Sequence, residues 1–201
     1  MTMADDKSGR DKQADDDDRR QRKRDIIEAL EREDETEPPV DDTDIDTLTD
    51  DLEPLAFPAT GAEVVAAIGD REIESADGSY RIEELVPDTD AEQFDSPVDV
   101  HVRVVRPTVA AAMKEIVEAS ETLPNAELKG SQRKSYEKTL RALRSIDADD
   151  EDEGIQAITD WIVERIRDKE KLPGSRSVRR EAAKFCRANG YQVRNDEWLG
   201  V

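Results

Sequence analysis

Eight basic side chains in the final third of the chain carry the clearest chemistry: Lys134, Lys138 and Arg141, followed by Arg176, Arg179, Arg180, Lys184 and Arg187. On a helical wheel Arg176, Arg180, Lys184 and Arg187 fall within about 80° of one another, with Val178, Ala182 and Phe185 on the opposite side. A helix of this kind packs by one face and offers cations on the other. The planar guanidinium fork matches two phosphate oxygens at once, so this face is expected to meet the backbone of DNA or RNA. Lys134, Lys138 and Arg141 extend the surface if they share a side. The alternative is an adaptor or regulatory subunit that uses the same cations for an acidic protein, or for this chain's own acidic tail, and a solvated face is the third reading.

Other chemistries are poorly supplied. Cys186 is the single cysteine and His101 the single histidine. One cysteine makes no internal disulfide and no multi-cysteine zinc site, and nothing local brings the thiol to the imidazole. Cys186 is therefore expected to be a small buried hydrophobe, and His101 an exposed side chain beside Asp99 and Arg103. Acid pairs such as Glu83-Glu84 and Asp149-Asp150 are frequent enough among 51 acids to arise by coincidence. A calcium loop, a phosphate-cradling glycine run and a nucleophile elbow are all missing, so the expectation is a protein that is not an enzyme, without metal or cofactor. Trp161 and Trp198 neighbour aliphatic positions and are expected to pack rather than to stack on bases.

The 201 residues include 30 bases and 51 acids, a net charge of −21. The charge is unevenly spread: residues 1–128 hold 14 bases and 37 acids, residues 129–201 hold 16 bases and 14 acids. Aspartate outnumbers glutamate and arginine outnumbers lysine, a bias expected of a protein working in molar salt, where acidic surfaces stay solvated. Nowhere does an apolar run approach the roughly 18 residues of a membrane span, and the polar first 25 residues do not read as a secretory signal; a cytoplasmic protein is the expectation.

The elements that position the basic residues follow from periodicity. Residues 1–53 hold 21 acids and 9 bases, read as a disordered acidic tail with a transient helix over about 17–32. A central α+β module over 54–146 follows. It opens with Thr60-Gly61-Ala62-Glu63, which fits a capping box, and a short helix that Gly69 is expected to close in a left-handed conformation. Residues 71–86 predict a hairpin, or a strand-turn-helix, ended by Pro87. Ser96-Pro97-Val98-Asp99 suits a helix start, yet Val98, Val100, Val102 and Val104 alternate with polar residues, and the alternation predicts a strand. An apolar stripe of Val109, Met113, Ile116 and Val117 predicts a helix, and Tyr136, Leu140 and Leu143 predict another over 132–146. Residues 147–153, six acids in seven, read as a hinge. The C-terminal module, 154–201, is expected to hold a helix with Ile155, Ile158, Ile162 and Ile166 on one face, a Leu172-Pro173-Gly174-Ser175 break, and a last helix that Ser175 caps and Gly190 stops. A terminal β-hairpin over 191–199 would lie where the wing of a winged-helix protein lies. The fold class is thus α+β and predominantly helical.

The stretch Leu55-Ala56-Phe57-Pro58-Ala59-Thr60, with Ala67-Ile68-Gly69-Asp70-Arg71-Glu72-Ile73, Asp77-Gly78-Ser79 and Phe94-Asp95-Ser96-Pro97, resembles a small domain of unknown function found in haloarchaeal proteins. The resemblance covers about residues 55–100. It implies a cytosolic haloarchaeal origin and a compact helix-containing module, and it brings no catalytic residues with it.

Overall fold

The computed structural model describes residues 40, 42–76, 78–124, 127–146 and 153–191. The chain divides into two units, Met1–Glu37 and Pro38–Val201, and the first lies outside the described residues. So do the transient helix expected over 17–32, most of the acidic hinge, and all of the terminal hairpin beyond Tyr191.

Residues 42–52, assigned to the tail on composition, instead form helix α1 (Asp42–Leu52). Two leucines a turn apart, Leu48 and Leu52, are fully buried, and two acids of the helix, Asp44 and Asp51, find donors on later segments. The Asp44 carboxylate accepts the Glu74 backbone N–H at 3.0 Å, and Arg71 bridges Asp51 at 2.5 Å and Thr47 at 2.6 Å. Charge density concealed this helix, because two of its carboxylates, those of Asp44 and Asp51, meet tertiary partners.

A short strand β1 (Ala59–Thr60) leads into α2 (Gly61–Ile68). The expected capping box is present. Glu63 N–H donates to Thr60 Oγ1 at 3.2 Å, and the Thr60 N–H donates to Glu63 Oε2 at 2.8 Å, so two otherwise orphaned donors are satisfied. Gly69 does not take the left-handed conformation expected of it; at φ −55° it continues the helical turn, because the chain leaves through a turn into the hairpin rather than by reversing. That hairpin pairs β2 (Glu72–Ser75) with β3 (Gly78–Arg81), antiparallel with Ile73 opposite Tyr80, and runs straight into the single turn α3 (Ile82–Leu85). Strand β4 (Gln93–Phe94) returns to pair with β1.

The valine-rich segment is a helix, α4 (Pro97–Val104), and not a strand. Pro97 sits at its first turn, where a missing N–H costs nothing, and Asp99 lies in that turn. Val100, His101, Arg103 and Val104 are buried, a spacing of one, three and four that only a helix places on one side. Period two in the valines thus coincides with a helical stripe shared with polar neighbours. His101, expected on the surface, is inside, with Nε2 3.3 Å from Thr49 Oγ1 of α1.

The four remaining helices are α5 (Pro107–Glu121), α6 (Gly130–Ile146), α7 (Glu153–Lys169) and α8 (Ser175–Ala188). Their apolar stripes are those expected from the sequence, with Met113, Ile116, Tyr136, Leu140, Leu143, Ile158, Ile162 and Ile166 fully buried. Each such burial contributes about 1.5–3 kcal/mol. Apolar packing falls into two clusters. One gathers residues from Val40 to Ala110, the other residues from Val109 to Cys186, and α5 supplies both. The described strands amount to two antiparallel pairs, so the protein is predominantly helical with a small β component.

Candidate nucleic-acid interface

Helix α8 starts after Gly174, and Ser175, expected to cap it, is its first helical residue and makes no cap bond. Its end is the one the sequence predicts. Gly190 is left-handed at φ 79°, Tyr191 N–H donates to the Cys186 carbonyl at 2.9 Å, and Gly190 N–H to that of Arg187, which is the paired bonding of a Schellman turn. Val178, Ala182, Ala183 and Cys186 are buried against α6 and α7, whereas Phe185 is only half-buried. The packed stripe is therefore centred on Ala182, and the basic arc adjoins it rather than standing directly opposite.

Arg176, Arg180, Lys184 and Arg187 are all exposed, on one arc of α8. Arg176 and Arg180 have no ion-pair or hydrogen-bond partner among the described residues. Lys184 pairs with Glu181 one turn back at 2.9 Å, a surface contact with a lysine side chain 74% exposed. Arg179 differs from the others: it is half-buried at the edge of the stripe, with Nε shut off from solvent. Lys134 and Lys138 are exposed and Arg141 is half-buried, on the arc of α6 away from Tyr136, Leu140 and Leu143. They form a second basic arc on a separate helix.

Four further cations are exposed and are not singled out in the sequence: Arg165, Arg167 and Lys169 on α7, and Lys171 in the following turn. Glu164, Asp168 and Glu170 interleave with them along the chain, so this stretch carries little basic excess in a simple count. Arg165 lies over the Trp161 ring, 4.9 Å from its centroid, while the half-buried indole packs on the second cluster. One face of that ring is thus covered by a guanidinium, in keeping with a packing role.

The α7–α8 corner, residues 170–174, is tied to α6. Glu170 is left-handed at φ 48° and ends α7. The Pro173 carbonyl accepts from the Tyr136 hydroxyl and from Gln132 Nε2 at 2.9 Å, and Gln132 Nε2 also lies 2.9 Å from the Tyr136 oxygen. Burial pushes the Tyr136 hydroxyl up to about 12 from its ordinary 10.0, with the Gln132 hydrogen bond acting the other way. The unfolded chain therefore releases this proton first. The stabilisation is fully present below pH 10 and is lost as pH rises toward 12, an effect of about 2–3 kcal/mol. Denaturant midpoints measured from pH 8 to 12 are expected to fall across that window, and Tyr136→Phe is expected to remove this part of the fall.

A second cluster of charge is buried. Glu92, 1% exposed, meets Arg103 of α4 at 2.7 Å, and Arg133 of α6 approaches the same oxygen at 3.5 Å. Glu92 Oε2 and Arg103 Nη1 have no hydrogen-bond partner among the described residues. Arg103, expected on the surface, is turned inward by the helical form of α4 and is 8% exposed. Cys186 is buried in the second cluster as expected, and His101 lies at the α1–α4 contact. Among the described residues no group of three or more His, Cys, Asp or Glu is arranged to hold a metal, and no helix is long and apolar enough to cross a membrane.

Residues 42–115 match the model of a family of unknown function, DUF5789. The match contains the 55–100 stretch that resembles such a domain, adds α1 in front, and stops within α5. No match to the chain is found among curated proteins or among solved structures.

Proposed function

We propose that the chain is a non-catalytic nucleic-acid-binding protein whose contact surface is the basic arc of α8, with Lys134, Lys138 and Arg141 as an outlying extension. The observation that carries this reading is the pair Arg176 and Arg180, exposed one turn apart and without an acidic partner among the described residues. Guanidinium groups so placed are available to bridge phosphate oxygens, and Arg187 and Lys184 continue the same line. The order α7, corner, α8 is that of a helix-turn-helix with α8 in the reading position, and a wing after Gly190 would complete a winged-helix arrangement. The acidic remainder suits a cytoplasm of high salt, of the kind haloarchaea maintain. There, phosphate contacts weaken steeply and need hydrogen-bonding support, which arginine supplies better than lysine.

The competing reading is an acidic protein partner on the same arc. It is favoured by the net charge of −21, which repels a long polyanion more than a short acidic segment. Binding of the full chain to a fluorescent DNA duplex and to an RNA of equal length, across a salt series, separates the two. Affinity is expected to fall log-linearly with salt. In Arg176→Glu plus Arg180→Glu it is expected to drop about tenfold or more, with a slope shallower by about 2. A wild-type chain that binds neither nucleic acid at low salt, or a double variant that binds as well as wild type, overturns the nucleic-acid reading.

A further inference from the structure

We infer that Gln132 and Tyr136 are positioning residues for the basic face: by holding the Pro173 carbonyl they fix the α7–α8 corner, so that Lys169 and Lys171 before it and Arg176 and Arg180 after it act as one surface. The inference rests on the binding role proposed for α8 and names what makes that face rigid.

The corner has little of its own to fix it. It is five residues long, starts at a left-handed glutamate and ends at Gly174, around which an added methyl would meet nothing within 4 Å. Leu172 packs against the second cluster, which anchors one residue by apolar contact. What fixes direction is the carbonyl of Pro173. It accepts from two side chains of α6 that stand one turn apart, and these are themselves joined by a 2.9 Å contact. Tyr136 is fully buried, so its ring has a single orientation and its hydroxyl a single place to donate. A carbonyl held this way sets where α8 begins, and with it the direction in which Arg176 and Arg180 leave the helix relative to the last turn of α7.

For a surface made of separate long cations, such fixing matters more than an additional charge. Each flexible side chain that must be ordered on binding carries an entropic cost, and a corner that moved would add its own. A clamp made within the folded protein removes the second cost before the partner arrives. It leaves the number of phosphate contacts unchanged.

The test is a double-mutant cycle on the full chain, with the fluorescent duplex as probe and far-UV circular dichroism as a check that each variant is folded. Tyr136→Phe keeps the ring and removes the donor; Gln132→Leu keeps the volume and removes the other. Each is expected to weaken duplex binding by about three- to tenfold at fixed salt while leaving the salt slope at the wild-type value, since no phosphate contact is lost. In the background of Arg176→Glu plus Arg180→Glu, Tyr136→Phe is expected to cost nothing more. Wild-type affinity in both Tyr136→Phe and Gln132→Leu overturns the positioning role and leaves the binding role standing. So does an equal loss with and without the arginine changes, because that is the behaviour of general loosening. A wild-type chain that does not bind the duplex removes both.

Discussion

Glu92→Leu is expected to lower the stability of the folded protein by about 3–5 kcal/mol. The leucine is close in size, so the loss comes from charge. Removing the carboxylate leaves the Arg103 guanidinium, 8% exposed, without the ion pair that faces it at 2.7 Å, and leaves Arg133 as a second cation beside it. A buried charge without a counter-ion costs several kcal/mol even after the surroundings relax. The cluster is not thereby a strong source of stability. Glu92 Oε2 and Arg103 Nη1 are unsatisfied among the described residues, so part of the desolvation cost stays uncompensated. Replacing Glu92, Arg103 and Arg133 together by Leu, Met and Met is therefore expected to recover most of the loss. Urea unfolding of the single and triple variants checks both statements; a triple variant less stable than Glu92→Leu would mean that the three charges do more than cancel one another. Because Arg103 belongs to α4 and Arg133 to α6, the cluster also ties the segment matched by the family model to a helix outside it.

Gly61→Ala is expected to destabilise by about 3 kcal/mol, at the upper end of what overpacking costs. A methyl group on Gly61 would lie 2.1 Å from the Pro87 carbonyl oxygen and 3.2 Å from that of Thr89. Both obstacles are backbone, so neither can turn aside. The closeness has a purpose in the fold: the loop after Pro87 supplies acceptors to the start of α2, with Gly61 N–H donating to the Glu92 carbonyl at 2.9 Å and Ala62 N–H to that of Thr89 at 3.1 Å. Pushing the loop away would break both bonds and disturb Glu92 itself. Gly130, which opens α6, makes the internal comparison. An added methyl there meets nothing within 4 Å, so Gly130→Ala is expected to be neutral or to stabilise by about 0.5–1 kcal/mol. Thermal unfolding of the two variants in parallel tests the contrast.

Several elements are legible in the sequence because their signal is local. The capping box at Thr60 and Glu63 needs only residues three positions apart, and the Gly190 stop needs only a residue that accepts a positive φ. Long apolar stripes, such as Ile155, Ile158, Ile162 and Ile166, name a buried face without naming its partner. The same holds for the exposed arc of α8: spacing alone places Arg176, Arg180, Lys184 and Arg187 on one side of a helix, and all four are exposed. Where local signals conflict, the sequence reading fails. In 97–104 the period of the valines and the Pro97 start point to different structures, and packing against α1 and α5 selects the helix.

What the sequence by itself determined is therefore the helical class, the apolar stripes, two helix ends and the existence of a basic arc, since each depends on contacts within a turn or two of chain. Only the tertiary structure decided that α1 docks, that His101 and Arg103 face inward, that one carboxylate meets two guanidinium groups, and that Tyr136 and Gln132 hold the corner before α8. These pairings join residues 11 to 52 positions apart. Their energy depends on which groups are shut away from water together, and a periodicity along one segment carries no information about the segment that will cover it.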